Sequence, residues 1–275
     1  PVSRKKEAIV MSEGKIIARR REDRPEVLYL VISNPKALNA LTEEMQIDLI
    51  EKLRAARDDK SVRCVVLRGE GDRAFSSGGE VQSLEKLTDP AACEAMYQRG
   101  CDIRETIETY DKPIIAAVSG YCVGGGFEIA MCCDMLYASD DARFSLPESK
   151  LGLVPGWGGA IRLPRKLTVN RAKEMILLGE QMTAQEAYLF GIVNKVFPKA
   201  HIFEDVDSIV DRLLSVAPLA IRGVKAIVSH AIVDCNIDAA HEVEKKLSIY
   251  LMETEDFQEA VRAFEEKRPP KFQGR

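Results

Sequence analysis

Long apolar stretches alternate with amphipathic ones along the first two thirds of the chain. Apolar runs at 27–33 (VLYLVIS), 63–68 (RCVVLR) and 113–118 (PIIAAV) show little polar alternation and end at turn residues, the pattern of strands buried on both faces. Residues 15–21 (KIIARRR) predict an antiparallel partner for 27–33, joined through Glu22–Glu26. Between the strands, Met45, Leu49, Ile50 and Leu53 recur at helical spacing behind Thr42, which suits an N-cap, so a helix is expected over 43–57. A long amphipathic helix is expected over 89–110. Strand and helix in alternation imply right-handed crossovers and a largely parallel sheet, hence an α/β fold.

After Glu148 the chain reads KLGLVPGWGGAIRLP (150–164), a Gly/Pro-rich loop around the only tryptophan, Trp157. Short helices are expected at 168–178 and 183–190, the second capped by Thr183, and a return strand at 191–196. From 200 onward the pattern is helical throughout, with three or four helices, a break at Ala217-Pro218 and a cap at Thr254. This predicts a core over 1–199 and a helical region over 200–275 whose apolar faces are available to partner subunits.

Composition narrows the function classes. A net charge of −4 argues against a dedicated nucleic-acid binder. No apolar run reaches transmembrane length, so no membrane partner is expected. The polar opening PVSRKKEA lacks the apolar segment of a secretory signal, and the seven cysteines show no CxxC spacing. The expectation is a cytoplasmic protein with reduced, mostly buried thiols. Arg19–Arg21 read as a solvated strand edge in preference to a phosphate contact.

The chemistry concentrates in 113–148. Three glycines, Gly124, Gly125 and Gly126, sit between the apolar run and a helical pattern that carries a lone acid, Glu128, among Phe127, Ile129, Ala130 and Met131. Glycines at a strand-to-helix turn let backbone N–H groups point at a ligand oxygen, where the helix dipole adds positive potential. A second acid, Glu148, follows twenty residues later behind Pro147. The loop AFSSGGE (74–80) offers a further backbone site at Ser77 and Gly78. Each acid alone could be a helix-terminal partner. Together with two glycine-rich loops they fit enolate chemistry: a carbonyl oxygen is held while a neighbouring carbon gains or loses a proton. The three histidines lie in the C-terminal helices with no acidic pattern around them, so no metal site is expected. No G-x-S-x-G, G-x-G-x-x-G or P-loop is present.

The segments AFSSGGE (74–80), AAVSGYCVGGGFEIAMCCD (116–134), FSLPESKLGLVPGWGG (144–159) and LTVNRAKEMILLG (167–179) resemble the crotonase, or enoyl-CoA hydratase/isomerase, superfamily over nearly the whole chain. The resemblance implies a crotonase-like spiral of repeated ββα units followed by a helical trimerisation region, in trimers or hexamers. It implies acyl-CoA thioester substrates, with coenzyme A entering as part of the substrate and no separate cofactor. By position it implies oxyanion-hole amides at Ser77 and Gly125 and catalytic acids at Glu128 and Glu148. Having both acids favours a hydratase, which adds water across a 2-enoyl double bond. The alternatives are a double-bond isomerase, or a hydratase or dehydratase for a cyclic, aromatic-derived or carnitine-linked acyl group. A non-enzymatic scaffold or RNA-binding relative is disfavoured by the acidic charge and both glutamates. Lys36, Ala37 and Leu38 match the family's CoA-binding stretch, Gly78 the substrate loop, and Gly156 the residue whose N–H contacts the water. Ser77 stands where Ala is common and Glu80 where Asp is usual. Trp157 stands where the family often has a small residue; an indole there would narrow or reshape the acyl pocket, which argues against short straight-chain specificity, and the alternative is a ring that points into the core or a trimer interface.

Overall fold

The computed structural model describes residues 14–80, 89–233 and 237–275. Strand β1 (Lys15–Arg21) pairs antiparallel with β2 (Arg24–Ser33), as expected. Beyond β2 every neighbour in the six-stranded sheet is parallel: β3 (Cys64–Gly69), β5 (Ile114–Val118), β7 (Met135–Ser139) and β10 (Lys195–Phe197). The apolar runs lack polar alternation because both faces of this sheet are covered. Leu28, Leu30, Ile32, Val65, Leu67 and Ala116 face one core. Val27, Tyr29, Cys64, Val66, Ile115 and Ala117 face the other. Helix α1 (Glu43–Asp58) packs on the first face through Met45, Leu49, Ile50 and Leu53, and Thr42 caps it by accepting from the Met45 amide.

A second, four-stranded sheet was not foreseen. Its members are β4 (Ala74–Ser76), β6 (Tyr121–Val123), β8 (Arg143–Ser145) and β9 (Met182–Thr183), each too short to show a hydrophobic period. The chain alternates between the sheets: β3 then β4, β5 then β6, β7 then β8. Each pair is followed by a helical segment: α2 (Pro90–Glu108) after β4, α3 (Gly125–Cys132) after β6, and a 3-10 turn (Glu148–Leu151) with α4 (Gly159–Lys166) after β8. This is a spiral of ββα units. Strands β4, β6 and β8 are adjacent and parallel, so their C-terminal ends lie side by side. Those ends lead into Ser77–Glu80, Gly124–Gly126 and Leu146–Glu148, three segments separate in sequence that the small sheet holds together.

Helices α5 (Val169–Leu178) and α6 (Ala184–Leu189) follow, α6 opened by a capping box between Thr183 and Glu186. The return strand is Lys195–Phe197, a few residues later than expected, because Gly191–Asn194 serve as the turn. Four helices complete the chain: α7 (Ile202–Leu214), α8 (Pro218–Val233), α9 (Ile237–Met252) and α10 (Glu255–Glu265), the last capped by Thr254. Helix α7 covers the outer face of the large sheet through Ile202, Val206 and Val210. Large exposed apolar residues lie over 151–190 and again on the later helices, among the latter Val224, Val228, Ile232, Ile249 and Phe264. The basic run of β1 lies on an edge strand, where Arg20 pairs with Asp59 and Arg21 with Asp23 and Asp207.

Candidate active site

Glu128 occupies the first turn of α3 and is 2% exposed. Burial of a carboxylate requires partners. Its Oε1 accepts two backbone hydrogen bonds, from Trp157 N–H at 2.8 Å and Gly159 N–H at 2.7 Å. Gly159 is a glycine for lack of room: a Cβ there would lie 3.0 Å from the Glu128 Oε1 and 2.9 Å from Leu146 Cδ1. Desolvation pushes the Glu128 carboxyl up to about 7. The two amide hydrogen bonds oppose that rise, and the charge of Glu148 adds to it.

Glu148 opens the 3-10 turn after β8 and is half-buried. Burial raises its carboxyl as well. Its Oε2 is shielded from solvent with no hydrogen-bond partner among the described residues, the condition of a group waiting for a ligand. The carboxyl lies over Gly124: a Cβ on that residue would come within 2.9 Å of Glu148 Oε1. Gly124 has a φ of +53°, which favours glycine independently. The two acids therefore flank one glycine turn.

The amides of that turn divide sharply. Gly124 N–H donates to Ser145 O at 2.9 Å. Gly125 is the first helical residue, so its N–H has no intrahelical acceptor, and it has no other partner among the described residues. The neighbouring loop approaches closely, since a Cβ on Gly78 would lie 2.8 Å from the Gly125 nitrogen. Gly78, at φ +93°, makes the turn that allows this contact.

The loop at 77–80 corrects the expectation for Ser77. Its N–H donates to Leu38 O at 3.0 Å and its hydroxyl to Ala37 O at 3.1 Å. An amide already bonded within the fold has no hydrogen to offer a substrate oxygen. Gly78 N–H bonds to Ser76 Oγ, and Glu80 N–H to Leu41 O. Only Gly79 keeps an amide with no partner among the described residues, and it is exposed. Which amide of this loop lacks a partner depends on hydrogen bonds to residues 38–41, distant in sequence.

Lys36, Ala37 and Leu38 form the rim that receives Ser77; Lys36 is exposed and the other two half-buried. The described residues hold Gly156 beside the site, with its N–H unpartnered and Tyr97 of α2 opposite. The ring of Trp157 is buried at 8% exposure against Gly79, Gly100 and Gly125. Gly79, Gly100 and Gly159 are the residues that sequence reasoning missed. Only the glycine clustering around Trp157 hinted at Gly159, and nothing in the sequence pointed to Gly100.

A family model described as enoyl-CoA hydratase/isomerase matches residues 22–275. The chain belongs to the enoyl-CoA hydratase/isomerase family. A crotonyl-CoA hydratase from Syntrophomonas wolfei is 36% identical over 252 residues, which cover 92% of this chain and 95% of that protein. A carnitinyl-CoA dehydratase from Proteus mirabilis is 35% identical over 258 residues, covering 92% of this chain and 97% of that protein. Among solved structures, an enoyl-CoA hydratase from a Polaromonas species matches with a TM-score of 0.89 at 30% identity, covering 94% of this chain and all of that one. Membership accounts for the spiral of ββα units, the fold shared with the solved relative.

Proposed function

We propose that this enoyl-CoA hydratase/isomerase family member adds water across the 2,3 double bond of an enoyl-CoA thioester. The observation that carries the reading is the placement of two desolvated carboxyls on either side of a turn whose Gly125 amide is free. A thioester oxygen accepts from Gly125 N–H and, across the loop contact, from Gly79 N–H. Donors aimed at a developing enolate oxygen are each worth about 3–4 kcal/mol in the transition state. Glu128, ionised, takes a proton from water as the water oxygen bonds to C3. Its two backbone hydrogen bonds fix the carboxylate for that role. Glu148, protonated, delivers its proton to C2 as the enolate collapses. The cycle leaves the proton on Glu128 and the charge on Glu148, and solvent exchange resets the pair. A raised affinity for protons on both acids suits this exchange, because each must hold a proton in one half of the cycle.

Coenzyme A enters and leaves as part of the thioester, so the chemistry asks for no separate cofactor. The exposed rim at Lys36–Leu38 suits contact with its adenine and pantetheine portions. The resemblance to a carnitinyl-CoA dehydratase keeps one variant in view, the same elementary steps run in reverse on a 3-hydroxyacyl thioester. An isomerase needs only a proton shuttle between C2 and C4, for which the second buried acid is superfluous. The test is the loss of the conjugated absorbance of crotonyl-CoA with the purified chain. Hydration is expected, reduced about 100-fold or more in E128Q and in E148Q. A folded chain that leaves the absorbance of crotonyl-CoA and longer 2-enoyl-CoAs unchanged sinks the reading.

A further inference from the structure

The indole of Trp157 lies where the reaction site meets helix α2. Its benzo edge faces the two residues with free amides: a Cβ on Gly125 would lie 2.5 Å from Cζ3, and one on Gly79 3.9 Å from Cη2. Its pyrrole edge is pressed against α2, where a Cβ on Gly100 would fall 1.8 Å from Cδ1. No side chain larger than hydrogen fits at Gly100 or Gly125 while the ring stays in place. The backbone of the same residue donates to the Glu128 carboxylate. Trp157 is thus tied to the acid by its amide and to the carbonyl-binding loops by its ring, and the ring spans the gap between those loops and α2.

We propose that Trp157 sets substrate specificity by closing the acyl pocket just beyond the reacting carbons, so that the chain takes short acyl groups of about four carbons and excludes long straight ones. This rests on the enoyl-thioester reading above. An acyl group whose oxygen sits at the Gly125 and Gly79 amides must direct its tail past the residues that wall those amides, and the indole stands against both of them. The ring is closely confined: a Cβ on Gly100 or Gly125 would strike it. The niche also explains why α2 carries Gly100 in mid-helix, where glycine is less favourable than alanine.

Trp157 is the only tryptophan, so its emission reports on the ring itself. The wild-type chain is titrated with saturated butyryl-CoA and octanoyl-CoA, which bind without being hydrated. W157F and W157A are titrated with the same ligands by calorimetry. Butyryl-CoA is expected to perturb the emission and to bind about tenfold or more tightly than octanoyl-CoA. The octanoyl-to-butyryl affinity ratio should rise about tenfold or more in W157A and move the same way, by less, in W157F. Equal affinity of the wild type for both thioesters overturns the proposal. So does an unchanged ratio in W157A or, where W157A fails to fold, in W157F. A wild type that binds butyryl-CoA with this preference yet leaves crotonyl-CoA unhydrated refutes the hydratase reading and leaves the pocket assignment standing. A chain that binds neither thioester refutes both.

Discussion

Glu128 shows how one buried side chain links stability to chemistry. Its carboxyl is raised to about 7, chiefly by desolvation. Below about pH 4.3 the group is protonated in both folded and unfolded chains and contributes nothing. Between about 4.3 and 7 the unfolded chain gives up the proton while the folded chain keeps it, so stability falls as pH rises through this window and levels off above it. The full loss is about 4 kcal/mol. E128Q retains an acceptor for the Trp157 and Gly159 amides and removes the charge. It is expected to flatten the pH dependence of urea unfolding between pH 5 and 7 and to be more stable than wild type at pH 8, while losing activity. Equal slopes for the two proteins would place the titration elsewhere. In activity, kcat/KM should fall about tenfold per pH unit below about 7, as the carboxylate that accepts the water proton is lost.

At the scale of elements, the site is a property of three strand ends. Strands β4, β6 and β8 run parallel within one small sheet, so Gly79, Gly125 and Glu148 meet although they span 70 positions of sequence. The glycine turn is the hinge of this arrangement. G124A places a Cβ within 2.9 Å of Glu148 Oε1 and forces a side chain into a φ of +53°. The expected outcome is a stability loss of about 1–2 kcal/mol with a drop of about tenfold or more in kcat/KM, read by thermal unfolding and by crotonyl-CoA hydration. A variant with lowered Tm and unaltered kcat/KM would show that the Glu148 carboxyl does not depend on this turn. Sequence periodicity found β2, β3 and β5 because they are apolar throughout and buried on both faces, and it did not find β7. It missed the small sheet because a three-residue strand has no period to read.

At the scale of the whole molecule, the C-terminal helices are the unfinished surface. Val224, Val228 and Ile232 lie four residues apart along α8 and form an exposed apolar stripe, and Phe264 on α10 is 86% exposed. Such a surface is the kind that partner subunits cover. We expect a homotrimer or homohexamer built through this region, as the resemblance implied. Light scattering on the purified chain should give three or six times the monomer mass, and V228R should shift that mass downward. A wild-type chain that remains monomeric at micromolar concentration would remove this expectation. The division expected at 199/200 falls just before α7, which packs on the large sheet, so the first C-terminal helix shares a core with the residues before it.

The sequence alone determined the α/β class, the large-sheet strands β1, β2, β3 and β5, the main helices with their caps at Thr42, Thr183 and Thr254, and the family. These are local patterns: hydrophobic period, capping side chains, and motifs whose residues are contiguous. Tertiary structure decided which backbone amides lack a partner among the described residues and where the tryptophan ring packs. Ser77 and Gly79 lie two residues apart in one motif. Only the bond from Ser77 N–H to Leu38 O, made across the fold, leaves Gly79 as the residue of the two whose amide has no partner among the described residues. The niche for Trp157 likewise draws on glycines from three separate elements, and no spacing along the chain encodes a shared cavity.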